Sequence, residues 1–325
     1  MPRLPRPQPH DLRICLLGGL RVWVGQGELI EFGRWKRPAA LLELLALAPG
    51  HALLREIAQD RLWPDLDCDA AANNLHVTLH GLRRVLEPGL AHAAESTLVS
   101  LEAGVLRLHS PGALWIDVEA FELTIESAQR TGEQATYEAA LALYSGDLLP
   151  HELYAEWVDA RREVVRSQFT QVLQALAALY ERDGQLEAAI RTLQRLVYLD
   201  QTDEDSAFNI IRLYGMIGQR HQALRHFNLL QRALQRDLDC DPEPHTLQLR
   251  DRIMRSMPVA ALRDRDDLTG RERQISTLLA SGLTNRCIAT TLGMSTRTAE
   301  THVSRILRKL DVRSRNQVAV ALGHS

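Results

Sequence analysis

The strongest constraint on the fold is a repeat in the middle of the chain. Its members keep a constant offset of 34 residues and are Tyr180, Gly184, Gln185, Ala189 and Leu196, which recur as Tyr214, Gly218, Gln219, Ala223 and Leu230. A glycine allows the tight turn that joins two helices, and a small alanine allows those helices to pack closely. The repeat therefore predicts paired helices joined by a glycine turn.

The offset equals the period of tetratricopeptide repeats. Two such units cannot bury their apolar faces alone, so neighbouring helices must complete the stack. Apolar periodicity predicts these helices at 117–131, 134–145, 155–182 and 243–256. Gln201 and Gln235 stand where such repeats often end in proline, and plain helical packing is the alternative interpretation. We expect a mainly α-helical protein with a tetratricopeptide-like stack over residues 113–256.

The segment 12–112 has a different pattern from the helical middle. Short β-like runs, broken by glycines, are followed by three predicted helices and a hairpin. The helices are predicted at about 38–47, at 53–63 and after a cap at Asp69. The hairpin "TLVSLEAGVLRLH" turns around Glu102-Ala103-Gly104. Strands, three helices and a hairpin in this order predict a winged helix, and residues 1–11 ahead of it are expected to be disordered.

The third of these helices, "DAAANNLHVTLHGLRRVLE", buries a leucine stripe and leaves polar side chains off it. Asparagine can pair with adenine, and arginine can bind guanine or phosphate. The candidate DNA contacts of this segment, with one from the hairpin, are Asn73, Asn74, His76, His80, Arg83, Arg84 and Arg107. His76 and His80 are one helical turn apart, a spacing that can bind a metal, but no third ligand accompanies them. We therefore expect no metal.

Residues 267–325 follow a charged linker at 257–266 and contain four predicted helices. The predicted boundaries are a capping box of Thr269 with Glu272, the terminating glycines Gly282 and Gly293, and the caps Ser295 and Ser314. The second and third helices have the spacing of a DNA-reading pair, because a small residue at the crossing, Ala289, is followed four residues later by Gly293.

The third helix of this domain is strongly amphipathic. Its apolar stripe consists of Ala299, Val303, Ile306 and Leu310, with Leu307 beside it. Its polar residues lie away from the stripe and include Arg297, Glu300, Thr301, Ser304, Arg305 and Arg308. Cationic and hydroxyl side chains suit phosphates and base edges, so we interpret this face as a DNA-reading surface. A solvated helix face is the alternative.

Residues 269–322 resemble a LuxR-type helix-turn-helix domain in the stretches "LTGRERQI", "GLTNRCIATTLGMS", "THVSRILRKL" and "VRSRNQVAVAL". The resemblance implies that 295–310 is the recognition helix. It also implies that Glu300, Thr301, Ser304 and Arg305 face bases or nearby phosphates, and that Thr284, Asn285, Arg308, Lys309 and Arg315 contact the DNA backbone or lie close to it. Ser295, Arg297 and Thr298 are further candidate DNA contacts of this segment. Three positions depart from the family: Ala299 replaces a valine, Cys287 replaces an acidic residue, and Glu300 stands where a cation is common. Glu300 would have to accept from a cytosine amino group.

Residues 12–256 resemble the Streptomyces antibiotic regulatory protein (SARP) type. The resemblance is carried by "LLGGLRV", "NNLHVTLHGLRRVL" and "EWVDARREVVRSQFTQVLQALAALYERDGQLEAAIRTLQRLVYLDQTDEDS", and it is strongest over 148–249. It implies a winged helix followed by a bacterial transcriptional activation domain (BTAD), with operator binding and RNA polymerase recruitment. Val105 stands where an aromatic residue usually follows the wing glycine. The family does not usually carry a LuxR-type tail, so the chain is a hybrid.

The net charge of −3 conceals an uneven distribution. Residues 1–112 carry 12 basic and 12 acidic residues, 113–262 carry 15 and 23, and 263–325 carry 11 and 6. The segments therefore have net charges of 0, −8 and +5. A basic tail beside an acidic middle is typical of a chain whose tail meets a polyanion.

Several classes of protein are disfavoured by what the sequence lacks. No phosphate loop, nucleophile elbow, zincin motif or metal cluster is present, so neither an enzyme nor a cofactor is expected. The four scattered cysteines fit free thiols in a reducing cytoplasm. No apolar run is long enough for a membrane span, and the start "MPRLPRPQPH" has no apolar segment, so we expect that it is not a signal peptide.

The sequence thus predicts a cytoplasmic transcriptional regulator of double-stranded DNA, with activation as the expected direction. Its acidic helical domain would dimerise, recruit RNA polymerase, or both. The first alternative is a protein-interaction scaffold in which only one helix-turn-helix binds DNA. The second is a sensor whose helical groove binds a small molecule.

Overall fold

A computed structural model of the chain describes residues 11–151, 156–255, 270–294, 296–310, 312 and 314–321. The expectations for 1–10, for the linker at 257–266 and for the caps Thr269 and Ser295 lie outside these residues. The chain forms two compact units, Met1–Leu179 and Tyr180–Ser325. The architecture is mainly helical with a small amount of sheet near the N-terminus, as the sequence predicts.

The first unit contains two three-stranded sheets. The first has the order β2-β1-β6, and its strands are β1 (Leu12–Cys15), β2 (Arg21–Val24) and β6 (Leu114–Ile116). The second has the order β3-β5-β4, and its strands are β3 (Ala52–Leu54), β4 (Val99–Glu102) and β5 (Val105–Leu108). The predicted hairpin is confirmed, because β4 pairs antiparallel with β5 around Ala103 and Gly104, which both have positive φ. The sequence analysis missed β3 and β6, which are only three residues long.

Three helices lie between the strands of the first unit: α1 (Lys36–Leu47), α2 (Arg55–Leu62) and α3 (Cys68–Leu86). The prediction that Asp69 caps α3 is wrong. Asp67 is the cap, since its carboxylate accepts a hydrogen bond from Ala70 N at 2.8 Å. The leucine stripe of α3 is buried as predicted, with Leu82 fully inaccessible to solvent.

Four further helices match the predicted positions closely: α4 (Asp117–Thr131), α5 (Gln134–Leu143), α6 (Glu156–Arg182) and α10 (Pro244–Met254). Asp117 joins the start of α4 to β1, because its two carboxylate oxygens accept from Leu16 N at 2.8 Å and Leu17 N at 3.0 Å. These bonds connect residues about a hundred positions apart and fix the β1 segment on the first helix of the next domain.

The repeat has the same local geometry in both copies. The helices of this region are α7 (Leu186–Leu199), α8 (Glu204–Met216) and α9 (Arg220–Leu238). Gly184 and Gly218 both adopt φ of 75°, in the left-handed region that a glycine permits. The repeated alanines, Ala189 and Ala223, are fully buried. Arg212 of α8, which is 2% exposed, reinforces the packing by pairing with both oxygens of Glu181 at 2.8 and 2.6 Å.

The C-terminal part of the second unit contains α11 (Gly270–Ala280), α12 (Asn285–Leu292), α13 (Thr296–Lys309) and α14 (Val318–Ala321). A short 3₁₀ turn, Arg315–Gln317, precedes α14 and carries the capping box of Ser314 with Gln317, which confirms Ser314 as a cap. Gly282 and Gly293 both have positive φ and follow α11 and α12 as predicted. Ile275, Ile288, Ile306 and Val318 join the four helices in one fully buried cluster.

Replacing a repeat glycine by alanine should destabilise the second unit. Neither Gly184 nor Gly218 has a neighbouring atom within 4 Å of an added Cβ, so the cost arises from the left-handed φ alone. We expect Gly184→Ala and Gly218→Ala to cost about 1 kcal/mol each, measured from the shift of the urea unfolding transition. Gly89→Ala is the matched control, because Gly89 also has open space but no left-handed φ. An equal effect of all three substitutions would contradict this account.

Candidate nucleic-acid interface

The turn between α12 and α13 has the geometry expected of a helix-turn-helix. Thr284 caps α12 by accepting a hydrogen bond from Cys287 N at 3.3 Å. Gly293 ends the helix with φ of 66°, and Met294 N then bonds to Ala289 O at 2.9 Å. Ala289 is 3% exposed, so the position predicted for the crossing is in the core. The turn at Gly293 and the buried position of Ala289 both agree with the sequence analysis.

The apolar stripe of α13 is buried as predicted. Ala299 and Ile306 are inaccessible to solvent, and Val303 is 7% exposed. Leu307 and Leu310 are partly buried against the same cluster. Packing of this stripe against α11 and α12 fixes which face of the helix remains available to a ligand.

The predicted contacts around α13 differ in their accessibility. Arg297 and Ser304 are exposed, while Thr298, Glu300 and Thr301 are half-buried. Thr301 Oγ1 donates to Arg297 O at 3.0 Å, one turn earlier in the helix. The whole of Ser295 and the side chain of Arg308 lie outside the described part of the chain.

Three further predicted contacts lie at the edges of the helix pair. Thr284 is exposed at the N-terminus of α12, beside the half-buried Asn285. Arg315 donates from Nη2 to the carbonyl of Leu283, which joins the turn before α14 to the loop before α12. Arg315 therefore has a structural role in addition to its predicted contact with the DNA backbone.

Arg305 and Lys309 are directed away from solvent towards carboxylates. Arg305 Nη2 donates to Asp203 Oδ1 at 2.7 Å, and its Nε lies 3.9 Å from Asp205 Oδ2. Lys309 Nζ lies 3.0 Å from Glu272 Oε2 and 3.9 Å from Asp205 Oδ1. The side chains of Arg305 and Lys309 are 11% and 6% exposed. The sequence analysis missed these partners, although the acidic excess of the middle segment was a signal for them.

His302 lies beside these ion pairs, one turn before Arg305 on α13. Burial, and then the adjacent Arg305 cation, lower the pKa of His302 to about 4. Burial would also lower the pKa of Arg305, but the surrounding carboxylates, led by Asp203 and Asp205, raise it above its ordinary value. His302 is therefore neutral at neutral pH while Arg305 is charged.

The predicted contacts in the first unit are mostly accessible. Asn73, His76, His80, Arg84 and Arg107 are exposed, and Asn74 is half-buried. Arg83 differs from these residues, because its Nε donates to the carbonyl of Val99 on β4 at 2.9 Å. Burial lowers the pKa of Arg83, an effect that Glu87 partly offsets. Arg83 thus joins α3 to the hairpin, whether or not it also contacts DNA.

The described residues contain no cluster of three or more histidine, cysteine, aspartate or glutamate side chains able to hold a metal ion. All four cysteines are free thiols, as predicted, and Cys15 is the buried one. Among the described helices, none has the length and apolar character to cross a membrane.

Comparison with known proteins agrees with these features. The bacterial transcriptional activator domain family matches residues 116–254, and the bacterial regulatory proteins of the luxR family match residues 266–322. The chain is 46% identical over 55 residues to the transcriptional regulatory protein LiaR of Bacillus subtilis, and 43% identical over 58 residues to the nitrate/nitrite response regulator NarL of Escherichia coli. These matches cover 17% and 18% of this chain. The chain spans only 26% and 27% of the lengths of those two proteins.

A solved structure with a similar fold is that of Mycobacterium tuberculosis EmbR in complex with a low-affinity phosphopeptide. The similarity has a TM-score of 0.59 at 20% identity and covers 77% of this chain and 66% of EmbR. At this identity the likeness concerns the fold.

Both matched families consist of domains of bacterial transcriptional regulators. Residues 116–254 are similar to bacterial transcriptional activator domains, and residues 266–322 are similar to the DNA-binding regulators of the luxR family.

Removal of the Arg83 guanidinium should destabilise the first unit independently of any effect on DNA. Arg83→Gln removes a charge-assisted hydrogen bond to Val99 O, and we expect a loss of about 1–2 kcal/mol in urea unfolding. Arg84→Gln is the matched control, because Arg84 is the exposed neighbour on the same helix. Equal stabilities of the two variants would show that the bond to β4 contributes nothing.

The second unit should become less stable as the pH is lowered, because the buried His302 resists protonation. Its native pKa of about 4 lies below its unfolded value of 6.5, so the unfolded state takes up a proton first as the pH falls. Between about pH 7 and pH 5 the wild type should lose about 1–2 kcal/mol more than His302→Gln in urea unfolding. The other histidines are common to both proteins and cancel in this comparison. Identical pH dependence in the two proteins would refute the depressed pKa.

Proposed function

We propose that this protein is a DNA-binding transcriptional activator that binds promoter DNA through α13 and recruits RNA polymerase through its activator domain. The observation that supports DNA binding best is the helix-turn-helix of α12 and α13. Burial of Ala299, Val303 and Ile306 leaves a face that carries Arg297 and Ser304 accessible. An arginine suits phosphate or guanine, and a hydroxyl can bond to either a base edge or a phosphate.

The fold of the first unit supports a second DNA-binding element. Its order of strands, three helices and hairpin is that of a winged helix, in which α3 would enter the major groove. His80 and Arg84 are exposed one turn apart on α3, and Arg107 is exposed on the hairpin. In this proposal α3 reads bases, and Arg107 binds the phosphate backbone.

The helices of residues 116–254 form the proposed recruitment surface. The segment 113–262 has a net charge of −8, which makes it unsuited to DNA and suited to a protein partner. Equal turns at Gly184 and Gly218 support a tetratricopeptide-like stack, a fold whose extended surface binds other proteins. RNA polymerase is the partner that we propose, and a homodimer through the same stack remains a prediction.

A DNA-binding measurement with the full chain tests the proposal. We would select duplexes from a random library and measure affinity by fluorescence anisotropy over a salt series. Arg297→Ala should weaken binding several-fold and reduce the log–log salt slope by about one, because one phosphate contact is lost. Arg232→Ala is the matched control, since it removes an exposed arginine from α9 in the activator domain. Arg84→Ala tests the winged helix in the same way.

The effects of Arg297→Ala and Arg84→Ala on DNA affinity distinguish the alternatives. Weakening by both Arg297→Ala and Arg84→Ala supports two DNA-binding elements. Weakening by Arg297→Ala alone leaves the first unit as a structural or partner-binding module. If no duplex is enriched even at low salt, DNA binding fails and a protein-interaction scaffold takes its place.

A small-molecule sensor is the second candidate, and a cavity in the second unit favours it. The cavity measures about 580 Å³, within the usual range for ligand sites. Its wall includes His245 and Cys240 from the activator domain and Arg271 and His302 from the luxR-family domain. A ligand for this cavity would raise the melting temperature of the full chain.

A further inference from the structure

Two of the residues predicted to contact DNA are already bound to carboxylates within the same unit. Arg305 donates to Asp203 at 2.7 Å, and Lys309 lies 3.9 Å from Asp205. Both carboxylates belong to the first turn of α8, which we call the acidic turn (Asp203, Glu204 and Asp205). This contact joins the recognition helix of the luxR-family domain to a helix of the activator domain, across about a hundred residues of sequence.

The acidic turn is well ordered and itself buried. Asp203, Glu204 and Asp205 are 7%, 7% and 6% exposed. Asp203 caps α8, because its oxygens accept from Ser206 N at 3.2 Å and from Ser206 Oγ at 2.7 Å. Glu204 accepts from Glu243 N at 2.7 Å, which fixes the turn on the segment before α10. The carboxylates of Asp203 and Asp205 are therefore presented to α13 by a fixed backbone.

Binding to these carboxylates and binding to phosphates exclude each other. A guanidinium that is 11% exposed and paired with Asp203 cannot also reach the DNA backbone. Lys309, 6% exposed, is restricted in the same way. Each cation that fails to neutralise a phosphate removes one contribution to the salt-dependent part of the affinity. While it is paired with a carboxylate of the acidic turn, each of these cations is therefore unavailable to a phosphate.

We propose that the acidic turn holds the recognition helix in a closed state that competes with DNA. This inference rests on the proposed DNA-binding function of α13. In the closed state Asp203 pairs with Arg305, and Asp205 lies 3.9 Å from Lys309, which also lies 3.0 Å from Glu272 of α11. DNA binding requires that both cations exchange the carboxylates of the acidic turn for phosphates. The activator domain therefore restrains the reader domain as well as serving as a partner surface.

Removal of the two charges should open the contact. Asp203→Asn/Asp205→Asn leaves Arg305 buried without its ion-pair partner, which is strongly unfavourable. The contact between α13 and α8 should therefore open, so that Arg305 becomes accessible to solvent. Asparagine is as good a helix cap as aspartate, so α8 is preserved. We expect the full-length double variant to bind a fluorescein-labelled mixed-sequence duplex about ten-fold more tightly than the wild type, measured by anisotropy.

A matched control separates opening from a change in net charge. Asp183→Asn/Asp237→Asn removes two exposed carboxylates from the same unit, each paired with a neighbouring arginine. Its net charge equals that of the test variant. We expect its affinity for the duplex to stay close to that of the wild type.

Lysine reactivity reports the closed state without DNA, because the chain has two lysines, Lys36 and Lys309. Lys36 is exposed, whereas Lys309 is 6% exposed. With an amine-selective acylating reagent and peptide mass spectrometry, Lys309 should react far more slowly than Lys36 in the wild type. Asp203→Asn/Asp205→Asn should raise the rate of Lys309 several-fold and leave that of Lys36 unchanged. Glu272 of α11 stays beside Lys309, so the two rates should not become equal.

Tighter DNA binding together with faster acylation of Lys309, in the test variant alone, would support the closed state. Equal affinity of all three proteins for the duplex would overturn it while leaving the proposed function intact. Tighter binding with an unchanged Lys309 rate would also overturn it, because charge alone would then explain the affinity. If no protein binds DNA, the proposed function fails, and an unchanged Lys309 rate would refute the contact separately.

Discussion

A helix can offer a ligand only the face that it does not bury, and this constraint governs the C-terminal domain. Ala299, Val303 and Ile306 pack into the cluster formed with α11, α12 and α14, which fixes the rotation of α13 about its axis. Every other property of the helix follows from that rotation. Arg297 and Ser304 are left in solvent, and Arg305 and Lys309 are directed to the carboxylates.

The activator domain depends on a comparable backbone constraint. Gly184 and Gly218 adopt the same left-handed turn, and the helix after each turn begins with the same hydrogen bond to a tyrosine carbonyl, Tyr180 or Tyr214. α8 packs against α7 and α9, and Glu204 of its acidic turn accepts a hydrogen bond from Glu243 N before α10. The carboxylates of Asp203 and Asp205 are thereby placed beside the cations of α13.

The charge distribution acquires a physical meaning from these contacts. The acidic middle and basic tail predict attraction to a polyanion, yet part of that attraction is satisfied inside the second unit. Asp203 and Asp205 pair with Arg305, so the net charge of the C-terminal segment overstates its exposed cationic surface. The neutral form of His302 follows from its burial and then from the adjacent Arg305 cation, which both lower its pKa.

Local pattern determined most of the fold and the helix-turn-helix. The repeat, the glycine turns, the stripe of α13 and the hairpin at Gly104 are all set by residues within a few turns of one another, where periodicity and backbone preference act directly. Short strands such as β6 escaped prediction because three residues carry little periodic signal, and β6 exists only because β1 pairs with it. The ion pairs of Arg305 with Asp203 and of Lys309 with Asp205 likewise join segments about a hundred residues apart. The sequence by itself determined which side chains α13 carries and which of them are buried in its apolar stripe. Only the tertiary structure decided which of its polar side chains face solvent and which face carboxylates, since contacts between segments far apart in the chain leave no local pattern.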